Sequence, residues 1–82
     1  MNTEHLINMA NQIGRFYEPY PDRAEALKSA AMHLRRFWEP RMRVAFFEYL
    51  DAAHGEHLDP FMLEAVRTHR KELMPATSAS PL

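Results

Sequence analysis

The sequence predicts an all-α protein, a compact bundle of three to four short helices with a disordered C-terminal tail. Apolar residues recur every three or four positions along most of the chain, and there is little of the alternation typical of strands. Prolines at positions 19, 21, 40 and 60 divide this pattern into segments of helical length. The end of the chain has small residues, prolines and a single leucine, which is typical of a flexible segment. We therefore expect one helical domain over residues 1–74 and a flexible tail over residues 75–82.

The first predicted helix runs from about Thr3 to Phe16. Asn2 or Thr3 can cap it, because a short side-chain oxygen accepts hydrogen bonds from the free amides of the first turn. The Glu-Pro-Tyr-Pro segment at 18–21 ends the helix, since proline lacks an amide donor and restricts the residue before it. One apolar stripe is expected on this helix, formed by Leu6, Met9, Ala10, Ile13, Phe16 and Tyr17.

The second predicted helix begins near Pro21, because proline is favoured at the first helical position. Asp22 and Glu25 suit the positive end of its dipole. The Glu39-Pro40 pair interrupts the pattern and leads into the third helix. The expected core face of the second helix consists of Ala24, Leu27, Ala31, Leu34 and Trp38.

The third predicted helix, from about Pro40 to Ala53, is apolar on two faces. Such a helix is either deeply buried or docked on another molecule. The main stripe contains Met42, Ala45, Phe46, Tyr49 and Leu50, and the second face contains Val44 and Phe47.

A glycine turn separates the third helix from the fourth. Gly55 predicts a helix C-cap, and the Asp59-Pro60 pair predicts the next helix start. The fourth helix is expected to run to about Leu73. Its apolar side contains Met62, Ala65, Val66, His69 and Leu73.

The composition excludes several classes of protein. The chain has no cysteine, which excludes disulfides, thiolate metal sites and cysteine nucleophiles. Its 10 basic and 11 acidic residues give a net charge of −1, unlike the basic excess of a nucleic-acid binder. No stretch approaches the roughly 18 apolar residues of a membrane span, and the first residues lack the features of a secretion signal. We therefore expect a cytoplasmic protein with no membrane contact.

The residues offer little catalytic chemistry. His54 and His57, with Asp59 close by, could ligate zinc. A polar turn is the favoured interpretation, because the two loop histidines have no clear third and fourth partner. Half of the serine and threonine residues fall in the tail, and two isolated glycines cannot form a phosphate-binding loop. The sequence thus predicts no catalytic residue, no metal ligand and no cofactor.

The most unusual segment is residues 34–43, which contains four arginines, the single tryptophan and a helix break. Arginine and tryptophan are strongly enriched at binding hot spots. Four like charges also favour a surface that a partner neutralises. Alternatively, Trp38 fills the core between two helices and the arginines are a solvated face paired with Glu39 and Glu48. The predicted partner interface comprises Arg35, Arg36, Phe37, Trp38, Glu39, Pro40, Arg41, Met42, Arg43 and Phe47.

At these residues the sequence resembles the delta-subunit family of NAD-dependent formate dehydrogenases. The central block is His-Leu-Arg-Arg-Phe-Trp-Glu-Pro-Arg-Met-Arg at 33–43. Residues 6–17, and the helix starts at 21–25 and 58–60, are similar to the family as well. The resemblance extends over residues 5–74, and the combination of paired arginines, paired aromatic rings and Glu-Pro makes it specific.

The resemblance implies a subunit of a soluble, cytoplasmic, multi-subunit enzyme that oxidises formate to carbon dioxide and reduces NAD. In such enzymes the catalytic alpha subunit carries the molybdenum cofactor and iron–sulfur clusters, and the beta and gamma subunits carry FMN, further clusters and the NAD site. The delta subunit would hold no cofactor and would stabilise the complex by docking on the catalytic subunit. Alternatively, it would be a transient maturation factor that assists insertion of the molybdenum cofactor.

Two further hypotheses follow from the residues alone. A small nucleic-acid binder could use Arg35, Arg36, Arg41 and Arg43, although the net charge argues against it because phosphate binding depends on positive charge. An unsatisfied apolar face would also allow a homodimer of the isolated chain.

Overall fold

A computed structural model describes residues 2–75. These residues form five helices and no strand, so the all-α prediction is confirmed. The predicted flexible tail lies outside the described residues except for Pro75, which is buried. The helices are α1 (Thr3–Tyr17), α2 (Arg23–Phe37), α3 (Pro40–Ala53), α4 (Pro60–Thr68) and α5 (Arg70–Leu73).

The first two helices begin at side chains that cap them. Asn2 Oδ1 accepts a hydrogen bond from the His5 amide at 3.1 Å, and Asp22 Oδ1 accepts one from the Glu25 amide at 3.2 Å. Each bond satisfies an amide that has no partner within the helix. Helix α2 therefore begins at Arg23 rather than near Pro21, which lies in the turn before the cap.

The fourth predicted helix is divided in two at His69. This residue has φ −108° and ψ 24°, outside the helical region, and a further turn of helix follows from Arg70 to Leu73. The spacing of Val66, His69 and Leu73 continues across the break, so apolar periodicity does not reveal it. The short α5 packs against α2 and leaves Leu73 fully buried.

Small residues allow the helices to approach closely. Ala26, Ala30 and Ala65, in the packed pair α2 and α4, are fully buried. A Cβ atom added to Gly14 of α1 would lie 3.3 Å from the Cβ of Met62 on α4, so α1 and α4 are in close contact at the glycine. The largest fully buried side chains, which form the centre of the core, are Phe46, Leu34, Met62, Leu73 and Val66.

The buried face of α1 differs from the predicted stripe. Ile7, Asn11 and Gly14 are buried, together with Leu6 and Ala10. Three members of the predicted stripe, Met9, Ile13 and Tyr17, are only partly buried, and Phe16 is 66 % exposed. The stripe prediction was wrong for Phe16 because the apolar surface of α1 is wider than the face that α4 and the rest of the core cover.

The turn between α3 and α4 contains three residues in the left-handed region. His54 has φ 55°, Gly55 has φ 79° and His57 has φ 74°. The left-handed backbone favours glycine at position 55, and a Cβ there would lie 2.9 Å from Leu63 Cδ1, so the Leu63 side chain would have to move. The C-cap predicted at Gly55 begins one residue earlier, at His54.

The side chain of Asn11, on α1, forms hydrogen bonds with this turn. Its Nδ2 donates to the His57 carbonyl at 3.0 Å, and its Oδ1 accepts from the Asp59 amide at 2.8 Å. Asp59 is the residue that precedes α4. One side chain thus satisfies two backbone groups of the turn and connects the residue that precedes α4 to α1.

We expect Asn11→Ala to lower the free energy of unfolding by about 1–3 kcal/mol, because it leaves two partly buried backbone groups without a partner. Urea denaturation of both proteins measures the loss. Asn8→Ala is the matched control, since Asn8 is an exposed asparagine on the same helix. Equal stability of the two variants would show that water replaces the side chain at no cost.

Candidate partner-binding surface

An open groove with a volume of about 600 Å³ lies between α1, the end of α2 and the start of α3. We call it the aromatic groove. Phe16 and Phe37 stand at its rim, each 66 % exposed. Large apolar side chains grouped at the surface commonly mark an interaction site. The groove is lined by Met9, Gln12, Ile13, Phe16, Tyr17, His33, Phe37, Trp38 and Met42.

Successive contacts between aromatic side chains stabilise one wall of the groove. The Tyr17 ring packs edge-on against Phe16, with centroids 4.9 Å apart. The Tyr17 hydroxyl lies 3.3 Å from His33 Nδ1, and the His33 ring lies 4.8 Å from the Phe37 ring. These contacts connect the end of α1 to the end of α2, so the exposed rings of Phe16 and Phe37 are held in position.

Trp38 belongs to the core. It is 4 % exposed and packs edge-on against Phe46, with ring centroids 5.5 Å apart. The backbone of Trp38 is extended, with φ −99° and ψ 129°, so its side chain leaves the direction of α2, whereas the preceding Phe37 remains helical and exposed. Of the two roles considered for Trp38, the structure shows the core role, and the ring also forms part of the groove lining.

Arg43 is also buried, with 8 % exposure. Its Nε donates to the Trp38 carbonyl at 3.2 Å, and one terminal nitrogen donates to the Leu73 carbonyl at 2.8 Å. These carbonyls lie at the C-terminal ends of α2 and α5, where a positive charge is favourable. Burial, and secondarily the nearby Arg35, lower the pKa of the Arg43 guanidinium.

Phe47 is a third buried member of the predicted interface, with 2 % exposure. The Arg70 guanidinium lies over its ring at 4.6 Å from the centroid and forms two hydrogen bonds with the Asp51 carboxylate. These bonds, as the main cause, lower the pKa of Asp51. Phe47 is therefore covered by the chain itself, whereas most of the other predicted interface residues are exposed or partly exposed.

Among residues 2–75, the exposed arginines of the segment have no carboxylate partner. Arg36 lies over the Phe37 ring at 5.9 Å, and Arg35 approaches the Glu72 carbonyl at 3.5 Å. Arg41 is exposed. No ion pair with Glu39 or Glu48 forms in the part of the chain that the structure describes.

Other arginines in the described range do have carboxylate partners. Arg15 pairs with Asp59 at 3.4 Å, and Arg23 pairs with Glu64. Arg36, next to the aromatic groove, and Arg41, next to Met42 in the sequence, differ in this respect from Arg15 and Arg23.

The histidine turn does not assemble a ligand cluster. His54 and His57 are exposed, and the Asp59 carboxylate pairs with Arg15. Between residues 2 and 75, no three His, Asp or Glu side chains are grouped so that they could hold a metal ion. Every helix in that range falls short of the length and apolar character needed to cross a bilayer.

Sequence reasoning missed two features of this surface. It grouped Met9, Ile13 and Phe16 with Leu6 and Ala10 in one apolar stripe without separating the groove residues from the buried ones, and it gave no role to Asn11. The width of the apolar stripe on α1 was the available signal. A stripe that runs from Leu6 and Ala10 around to Phe16 covers more of the helix than one packed neighbour requires.

A family model described as NADH-dependent formate dehydrogenase delta subunit, FdsD, matches residues 5–66. The matched range includes every residue that lines the aromatic groove and the whole arginine- and tryptophan-containing segment. Comparisons with curated proteins and with solved structures gave no significant match.

Proposed function

This chain belongs to the NADH-dependent formate dehydrogenase delta-subunit family, and from that membership we propose that it is a non-catalytic subunit that docks on the catalytic alpha subunit. Docking stabilises a cytoplasmic, molybdenum-containing, NAD-dependent complex and brings the chain into contact, through the alpha subunit, with the beta and gamma subunits. The observation that carries this proposal is the aromatic groove.

The groove has the composition of a contact surface. The cores of protein interfaces are enriched in aromatic residues, methionine and arginine. Aromatic residues and methionine line this groove, and Arg36 lines the cleft next to it. Phe16 and Phe37 expose most of their surface to water, and covering them with a partner supplies hydrophobic stabilisation. Iron–sulfur clusters of such an enzyme would belong to its other subunits, because this chain has no cysteine and thus lacks the thiolates that hold them.

The double variant Phe16→Ser, Phe37→Ser tests the docking surface. We expect it to keep the melting temperature of the parent chain, since both rings are exposed, and to weaken association with the enzyme by at least about a hundredfold. The estimate follows from about 1.5–3 kcal/mol for each phenylalanine buried on binding. The measurement is the amount of alpha subunit that co-purifies with the tagged chain from its host.

Lys28→Ser provides the control for this experiment. Lys28 is exposed on α2 and stands outside the groove. Undiminished recovery of the alpha subunit with the double serine variant would contradict docking through this groove. Loss of recovery with the control as well would indicate a general effect of substitution.

A transient maturation factor is the second candidate function. Met9 and Met42 favour it, because flexible methionine-lined surfaces suit partners that are bound and then released. In that case deletion of the chain should leave enzyme poor in molybdenum, and purified active enzyme should lack the chain. A stoichiometric chain in active enzyme, with full molybdenum content after deletion, would decide for the structural subunit.

A further inference from the structure

We propose that the aromatic groove receives an amphipathic helix of the partner protein whose polar flanks carry Asp and Glu, with Arg36 and Arg41 as the cations that meet those carboxylates. The inference rests on the proposed function, because this helix would belong to the subunit on which the chain docks. The inference goes beyond that function because it specifies that the partner segment is helical and acidic.

The dimensions of the groove suit a short length of helix. Its α1 wall extends from Met9 to Tyr17, which corresponds to about 12 Å, or slightly more than two helical turns. A partner helix that presents apolar residues at i, i+3 or i+4, and i+7 covers the same distance. Met9 and Met42 can adjust to the shapes of those side chains.

The positive charges of Arg36 and Arg41 favour an acidic partner over a neutral or basic one. Arg36 lies over the rim residue Phe37 and lines the cleft next to the groove with Tyr17 and His33. Arg41 precedes Met42 of the groove lining. Neither guanidinium has a carboxylate partner within residues 2–75, whereas Arg15 and Arg23 do.

The nearby acid does not cancel this charge. Glu39 is the one acidic residue among residues 33–43, against three exposed arginines, Arg35, Arg36 and Arg41. It precedes α3, where a carboxylate interacts favourably with the positive end of the helix dipole. The edge of the groove therefore remains cationic, and charge complementarity favours an acidic partner.

A second copy of this chain fits the groove less well. A symmetric contact between two grooves would place the same surface against itself. Arg36 and Arg41 of one copy would then approach those of the other, and like charges across an interface oppose association. A separate acidic helix covers the same apolar surface without that repulsion.

Photo-crosslinking in the assembled complex identifies the occupant. Benzoylphenylalanine replaces Phe37 in the full-length tagged chain, and mass spectrometry identifies the attached peptide after irradiation. We expect a peptide with apolar residues at helical spacing and Asp or Glu on both sides of them. The same crosslinker at Lys28, nine residues away and on the opposite face of α2, should not attach to that peptide. Attachment to a basic segment, to another copy of this chain, or to no protein would overturn the inference.

Charge reversal provides an independent measurement on the same complex. The double variant Arg36→Glu, Arg41→Glu should weaken association by about tenfold or more at low salt, and added salt should weaken the parent but change the variant less. Lys28→Glu should associate like the parent. Normal association of the reversed variant, when the Phe16→Ser, Phe37→Ser variant fails to associate, would refute the acidic helix and leave the docking proposal intact. Normal association of both variants would refute both proposals.

Discussion

Trp38→Ala is expected to bring the isolated domain to the edge of unfolding at room temperature. The indole is 4 % exposed and packs on Phe46, so its loss leaves a cavity that the neighbouring rings cannot fill. Truncation of a buried tryptophan costs about 3–5 kcal/mol, and a small domain has about 5–15 kcal/mol in total. Thermal unfolding followed by circular dichroism measures this loss.

Phe37→Ala is the matched control, because it is the adjacent aromatic residue and is 66 % exposed. It should unfold within a few degrees of the parent while it loses association with the enzyme. A melting temperature of Trp38→Ala equal to that of Phe37→Ala would show that the indole contributes little to the core.

Arg43→Met is expected to destabilise the domain by about 2–4 kcal/mol. The methionine keeps much of the apolar stem but removes the donors to the Trp38 and Leu73 carbonyls. A hydrogen bond from a charged group contributes about 1.5–3 kcal/mol, and removal of the desolvated charge returns part of the loss. Arg43→Lys should rescue only part of it, since a single ammonium group cannot reproduce the planar fork.

Arg41→Met separates this effect from a general loss of positive charge. Arg41 lies two residues earlier on α3 and is exposed, so its replacement should change stability by at most about 0.5 kcal/mol. Guanidinium chloride unfolding of the three variants gives the comparison. If Arg43→Met were as stable as Arg41→Met, water would satisfy both carbonyls, and the guanidinium would not be needed to join the two helix ends.

Local signals explain why some helix boundaries could be predicted. The bounds predicted for α3, Pro40 to Ala53, are the bounds in the structure, because Pro40 and the turn at Gly55 act within a few residues. The break at His69 could not be predicted in the same way. It depends on how α5 packs against α2, and the local spacing of apolar residues is the same with or without it.

The candidate site was harder to predict from the sequence than the helix boundaries. The segment at 34–43 was recognised as unusual, but its members divide between core and surface. Phe37 and Trp38 are adjacent aromatic residues with opposite exposures because α2 ends between them. Arg43 is buried because the fold brings the Leu73 carbonyl, 30 residues away, within 2.8 Å. Residues adjacent to Arg43 in the sequence do not predict a hydrogen-bond acceptor so far along the chain.

The Asn11 side chain joins parts of the chain that are 46 and 48 residues apart, and this separation has a kinetic consequence. The contact needs the turn before α4 to lie against α1, so we infer that it forms after the main folding barrier, once these helices have packed. Loss of such a late contact mainly accelerates unfolding and leaves the folding rate nearly unchanged. The amide of Asn11 would thus lengthen the lifetime of the folded chain, which sets how long a chain released from its partner remains able to rebind.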